Sequence, residues 1–191
     1  MDTGNFNFFD KTIAFLRLQK VIKLVEKNDI ILDFGCGSQG YFLKSVSKKI
    51  GKGIGIDYDV KNTENENLEF IKQKFSGVLS FKKEVFDKVF LLAVLEHIPE
   101  KLVIKLFEEF NRVLKKDGLV VLTTPTSFGK NILEFLAYKL HIISEGEIRD
   151  HKKYYSKQEI FKLAGLSGFR LADYKLFQFG INSRAILKKI N

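Results

Sequence analysis

Asp33-Phe34-Gly35-Cys36-Gly37-Ser38-Gln39-Gly40 carries glycines in the spacing G-x-G-x-x-G directly after the apolar run Ile30 to Phe34. Glycines so placed let a chain turn sharply from strand to helix and let its backbone approach a ligand closely. A second apolar run, Gly53 to Asp57, ends in a carboxylate. At the end of the second strand of such a unit, a carboxylate accepts hydrogen bonds from ribose hydroxyls. The chemistry on offer is recognition of a nucleoside-bearing ligand, with Asp57 as the ribose acceptor.

Two ligands share this fingerprint, and charge separates them. A dinucleotide brings a pyrophosphate, which Asp33 at the loop entrance repels; S-adenosylmethionine brings an ammonium and a sulfonium, which a carboxylate favours. Asp33 therefore selects the sulfonium ligand, whose carboxylate meets the free N–H groups where a helix begins at Tyr41. Three histidines, His97, His141 and His151, could serve as general bases toward an acceptor hydroxyl. His97 follows the fourth strand beside Glu96, at the sheet edge where α/β folds place ligands. His151 stands beside Asp150, Tyr154 and Tyr155. These two are the catalytic candidates; the structural alternative is a hydrogen bond that fixes the loop for His151, and a backbone or cofactor contact for His97. His141 lies in an apolar stretch and reads as a packed or surface histidine.

The elements that position these groups follow from periodicity. Ala14, Leu18, Val21 and Val25 recur at helical spacing between Asp10 and Lys27. Strand signals cover 30–34, 53–57, 68–71, 86–92 and 119–123, with helices over 41–49 and from Pro99 to Lys115-Lys116 between them. After Pro125 a helical insertion at about 127–150, apolar on more than one face, reads as a lid. Ser156-Lys157-Gln158-Glu159 forms a capping box that opens a helix to about Leu166. Strands over 169–179 and 184–189, joined by a turn at 180–183, must pair antiparallel. The expectation is one domain, 1–191: a doubly wound, mostly parallel seven-stranded α/β sheet of Rossmann type, with an antiparallel C-terminal strand and helices on both faces.

Composition narrows the classes. No run approaches the roughly 18–20 apolar residues of a membrane span, and one cysteine among 191 residues forms no internal disulfide, which suits a cytoplasmic protein. The net charge of +9 is spread as lysine pairs with only five arginines, so a solvated lysine-rich surface is preferred over a nucleic-acid groove.

Taken together, these residues resemble the class I methyltransferases over nearly the whole chain. Leu32-Asp33-Phe34-Gly35-Cys36-Gly37 is similar to the first motif of that family and Gly53-Ile54-Gly55-Ile56-Asp57 to its second. Phe86-Asp87-Lys88-Val89-Phe90, closing with Val94-Leu95-Glu96-His97-Ile98, is similar to the fourth-strand motif, and Leu114-Lys115-Lys116-Asp117-Gly118 to the turn into strand five. The resemblance implies S-adenosylmethionine as cofactor and S-adenosylhomocysteine as product. It places Asp57 on the ribose and Asp33, Gly35 and Gly37 on the methionine end, with Cys36, Gly40, Tyr58, Leu92 and Glu96 completing the contacts. Where related enzymes carry an acid for adenine after strand three, this chain has Lys72, Gln73, Lys74, Phe75 and Ser76, so Gln73 or backbone stands in. Some O-methyltransferases build a metal site from Glu-x-x-Glu-His plus a later histidine. Glu96, His97 and His151 correspond, but Ala93 replaces the first glutamate, and no metal is expected.

The implied reaction is methyl transfer to a small-molecule or lipid-linked acceptor, with His151 favouring oxygen over nitrogen or carbon. The alternatives are a nicotinamide-dependent oxidoreductase, an RNA-modifying methyltransferase and a non-catalytic cofactor-binding module.

Overall fold

The computed structural model describes residues 16–129 and 152–190. Helix α1 is described over 16–21 and passes into a 3-10 turn at Ile22–Leu24. Then come β1 (Ile30–Phe34), α2 (Tyr41–Val46), β2 (Lys52–Asp57), β3 (Thr63–Asn65), β4 (Leu68–Lys72) and β5 (Phe86–Leu92). They are followed by α3 (Glu100–Val113), β6 (Leu114–Pro125), α4 (Lys157–Leu166), β7 (Phe169–Phe177) and β8 (Asn182–Lys189). The strands form one sheet in the order β3-β4-β2-β1-β5-β6-β8-β7. Neighbours from β4 to β6 are parallel, while β8 runs antiparallel to both β6 and β7.

Alternation along the strands explains why both faces are covered. Leu32 and Phe34 of β1, Val89 and Leu91 of β5, and Val120 and Leu122 of β6 enter one core with Val103, Leu106, Phe107 and Phe110 of α3 and Ile160 and Leu163 of α4. Their strand neighbours Ile31, Phe90 and Val121 enter the opposite core with Val21 and Val25 and with Phe42, Leu43 and Val46 of α2. A period of two on a sheet buried on both sides gives this near-continuous apolar reading.

The sheet has eight strands against the seven expected. The added one, β3, pairs antiparallel with β4 at the edge through Thr63↔Phe70 to Asn65↔Leu68. Helix α3 ends at Val113, before Lys115-Lys116, because Leu114 is already extended and pairs with Phe86 of β5. The register then jumps to Lys88↔Leu119, so 115–118 bulge past Asp87. Asp117 takes φ 60° there, and Lys115 Nζ donates to Asp87 at 2.8 and 2.9 Å. Pro99 sits at the N-cap of α3 rather than inside its first turn. The capping box forms as read: Glu159 N–H donates to Ser156 Oγ at 3.2 Å, and Ser156 N–H donates to Glu159 Oε2 at 2.9 Å. The hairpin turn falls at 178–181, since Asn182 and Ser183 already pair with β6. Of the expected insertion only 127–129 is described, as helix; the remainder, with His141 and His151, lies outside the described residues.

Candidate functional site

Parallel strands end on one side of a sheet, so the topology brings four segments together. These are the loop after β1, Asp57 closing β2, the 93–97 turn after β5, and Thr126 after β6, with the β7–β8 turn beside it.

The glycine loop reverses through Gly35 at φ 78° and Gly37 at φ 68°, both left-handed. A Cβ at Gly35 would stand 2.3 Å from Val94 Cγ2, so glycine is needed there for packing as well as for angle. At Gly37 a Cβ would meet nothing within 4 Å. That open side lets a ligand lie over the backbone. Asp57 braces the loop: Gly37 N–H donates to its Oδ2 at 2.9 Å and Asp59 N–H to its Oδ1 at 2.9 Å. Ionised carboxylate oxygens hold roughly four acceptor sites in all, so Asp57 keeps capacity for two hydroxyls. Gln73 N–H donates to the Asp57 carbonyl at 2.9 Å, which sets Gln73 beside the acid. Tyr58, next in the chain, is largely exposed. Gly40 precedes α2, whose six residues make under two turns, too short to develop much of a dipole.

Asp33 is the anomaly. Its side chain is 1% exposed, and one carboxylate oxygen finds no hydrogen-bond partner in the protein. Burial first, and then the charge of Asp57, push its carboxyl up to about 8. A buried acceptor of this kind is completed by a cation, and the ammonium end of a methionine supplies one. The residues present therefore fit S-adenosylmethionine. Cys36 beside it is held as a thiol, raised by burial and then by Asp33 and Asp57, so thiolate chemistry is disfavoured.

After Leu92, Ala93 adopts φ 57° and donates its N–H to the Thr123 carbonyl at 2.9 Å. The 3-10 turn Leu95–His97 follows. Glu96 is buried at 1% exposure, and its Oε2 accepts from the Thr124 hydroxyl at 3.2 Å. Its carbonyl accepts the Lys152 N–H at 2.6 Å. The chain immediately after His151 is thus pinned to Glu96, and His97 stands half-buried in the same turn. Among the described residues no three His, Cys, Asp or Glu side chains are grouped to hold a metal. Sequence reading missed Thr124. The available signal was Thr123-Thr124, two hydroxyls ending an otherwise apolar strand.

Beyond this turn lies a cleft of about 460 Å³, lined by Thr126, Phe128, Tyr155, Tyr174, Leu176 and Phe179 among others. Burial raises the Tyr155 hydroxyl above the ordinary phenol range.

A doubly wound sheet with a glycine loop after β1, an acid closing β2 and an inserted antiparallel final strand defines a class I S-adenosylmethionine-dependent methyltransferase. The chain belongs to the family described as methyltransferase domain, which matches residues 7–174. It is 30% identical over 202 residues to the ubiquinone/menaquinone biosynthesis C-methyltransferase UbiE of Campylobacter jejuni, across 90% of this chain and 84% of that protein. Among solved structures, the PH0226 protein of Pyrococcus horikoshii superposes with a TM-score of 0.69 at 20% identity, covering 97% of this chain and 93% of that one. A SAM-dependent methyltransferase of Methanosarcina mazei gives 0.65 at 20% identity, over 90% and 97%. At such identities the likeness of these structures is one of fold.

Proposed function

We propose that the methyl donor lies along the glycine loop and that the acceptor is apolar and lipid-linked, seated in the cleft lined by Phe128, Leu176 and Phe179. Asp57 then holds the ribose, Asp33 faces the ammonium, and Gln73 with the adjoining backbone meets the adenine. The donor supplies an activated methyl group, so the chain's own task is to align the acceptor and exclude water. The observation that carries the acceptor class is the cleft itself: Phe128, Leu176, Phe179 and the rings of Tyr155 and Tyr174 make its lining mostly apolar, while Ser127, Ser156 and Lys157 are available to a polar head group. The relatives' names, which tie them to quinone biosynthesis, point the same way. On the methylated atom, the sequence argument through His151 favours oxygen, whereas those relatives are named C-methyltransferases. We read the protein as cytoplasmic, since it has one cysteine and no described helix is long and apolar enough to cross a membrane.

The test supplies methyl-labelled S-adenosylmethionine with a prenylated hydroquinone in detergent, with its unprenylated head group, and with bulk RNA. The expected product is the methylated prenylated compound, formed at least tenfold faster than the methylated head group. Equal rates would remove the lipid-linked part of the reading, and label in RNA alone would overturn the acceptor class. Carbon or oxygen is then read from the product's methyl resonance.

A further inference from the structure

The turn between β7 and β8 shows an unusual display. Gln178, Phe179 and Gly180 all take positive φ, at 50°, 55° and 84°. Left-handed backbone is costly for a phenylalanine and persists only where the surroundings enforce it. Here they do. Thr126 N–H donates to the Ile181 carbonyl at 2.8 Å, Thr126 Oγ1 to the Gly180 carbonyl at 2.7 Å, and Asn182 Nδ2 to Gln178 Oε1 at 2.6 Å. The result of this bracing is a Phe179 ring that is 100% exposed, with Leu176 58% and Phe128 66% exposed beside it. A folded chain gains nothing internally by holding an aromatic ring wholly in water on a strained, fastened turn.

The charge around the ring identifies what it meets. Lys157, at the start of α4, lines the cleft and Lys175 lies on β7; both are exposed, and Lys157 Nζ sits over the Tyr174 ring at 5.7 Å. Between Lys152 and Asn182 the acids are Glu159 and Asp173 alone, engaged by Lys153 and Arg184 respectively. A protruding aromatic and aliphatic tip framed by cations complements an anionic lipid surface, where the apolar side chains enter the acyl boundary and lysines meet headgroups.

We propose that the β7–β8 turn, through Phe179, Leu176 and Phe128, docks the protein on anionic bilayers, with the mouth of the cleft facing the lipid. The docking shares Phe128, Leu176 and Phe179 with the acceptor cleft and so rests on the lipid-linked reading, but binding to vesicles itself needs neither donor nor acceptor. The full chain contains no tryptophan, so Phe179→Trp gives a single reporter at the tip. Vesicles of phosphatidylglycerol are expected to shift its emission to the blue, and vesicles of phosphatidylcholine to leave it unchanged. Sedimentation with phosphatidylglycerol vesicles is expected to weaken at least tenfold in Phe179→Ser/Leu176→Ser and in high salt, with the melting temperature unaltered. No blue shift, or binding by the double-serine variant equal to that of the native chain, would overturn the proposal. So would self-association in lipid-free buffer that the same variant abolishes, which would assign the tip to a second copy. Methylation of the detergent-borne hydroquinone by the native chain alongside any of these would leave the acceptor reading intact.

Discussion

Two buried ionisable clusters sit near opposite ends of the central strands and are treated in opposite ways. At the end away from the site, Lys88 of β5 and Asp29 just before β1 are both nearly buried, and they pair at 2.7 Å. Glu26 adds a second carboxylate to Lys88 at 3.0 Å, and its own N–H donates to Asp29. Near the site end of β1, Asp33 is buried as deeply with one oxygen unpartnered. Charges that serve the fold are satisfied by the fold. On the reading proposed above, the acid left with an unpartnered oxygen is where a ligand completes the protein.

Breaking the satisfied pair has the largest expected effect. Lys88→Ala strands Asp29 in the interior and is expected to cost about 3–5 kcal/mol in urea unfolding, while donor affinity in the folded protein stays the same. Similar losses in both would show that the two ends are coupled.

Removing the unsatisfied acid should do the reverse. The Asp33 carboxyl titrates near 8 folded and near 3.8 in an unfolded chain, so the unfolded chain loses its proton first. Stability is therefore full below about pH 4, declines as pH rises, and levels off above about pH 8. Asp33→Asn abolishes that decline. At pH 8.5 it is expected to be more stable than the native chain by about 2–3 kcal/mol, less than the full shift implies because the amide buries donors of its own. Near pH 4 the difference should vanish, and S-adenosylhomocysteine should bind at least tenfold more weakly at neutral pH by calorimetry. A variant less stable at every pH would show that Asp33 is a structural group after all.

Two glycine substitutions, the second with the smallest expected cost, sharpen the comparison within the loop. Gly35→Ala drives a methyl into Val94 and is expected to cost roughly 2–4 kcal/mol. Gly37→Ala meets open space and should cost only about 1–2 kcal/mol from its backbone angle, yet weaken donor binding at least as much. Thermal melts with and without S-adenosylhomocysteine separate the two losses.

Much of this was legible in the chain. The strands at 30–34 and 86–92 announce themselves because both faces are buried, and Asp33 and Asp57 stand out because acids closing apolar strands need a reason. Thr63-Glu64-Asn65 gave no signal, being polar and wholly exposed; it becomes a strand only because β4 offers an edge. The end of α3 was misplaced by three residues because pairing of Leu114 with Phe86 overrides local preference. Thr124 and Glu96, 28 residues apart, share a hydrogen bond that only the adjacency of β5 and β6 brings about. Phe179 could not be singled out among 19 phenylalanines until its exposure was known.

The place of β8 between β6 and β7 bears on how the protein is made. During synthesis β7 emerges before the strand that joins it to the sheet. Until residues 182–189 are released, Val120, Val121 and Leu122 sit on an open edge and β7 has nothing to pair with. A ribosome stalled before that release leaves the β6 edge open while β7 is still held in the exit tunnel, an aggregation hazard in nascent chains. Synonymous codon changes that slow translation across 178–189 should therefore lower soluble yield more than equal slowing across 100–113, where α3 forms from local contacts.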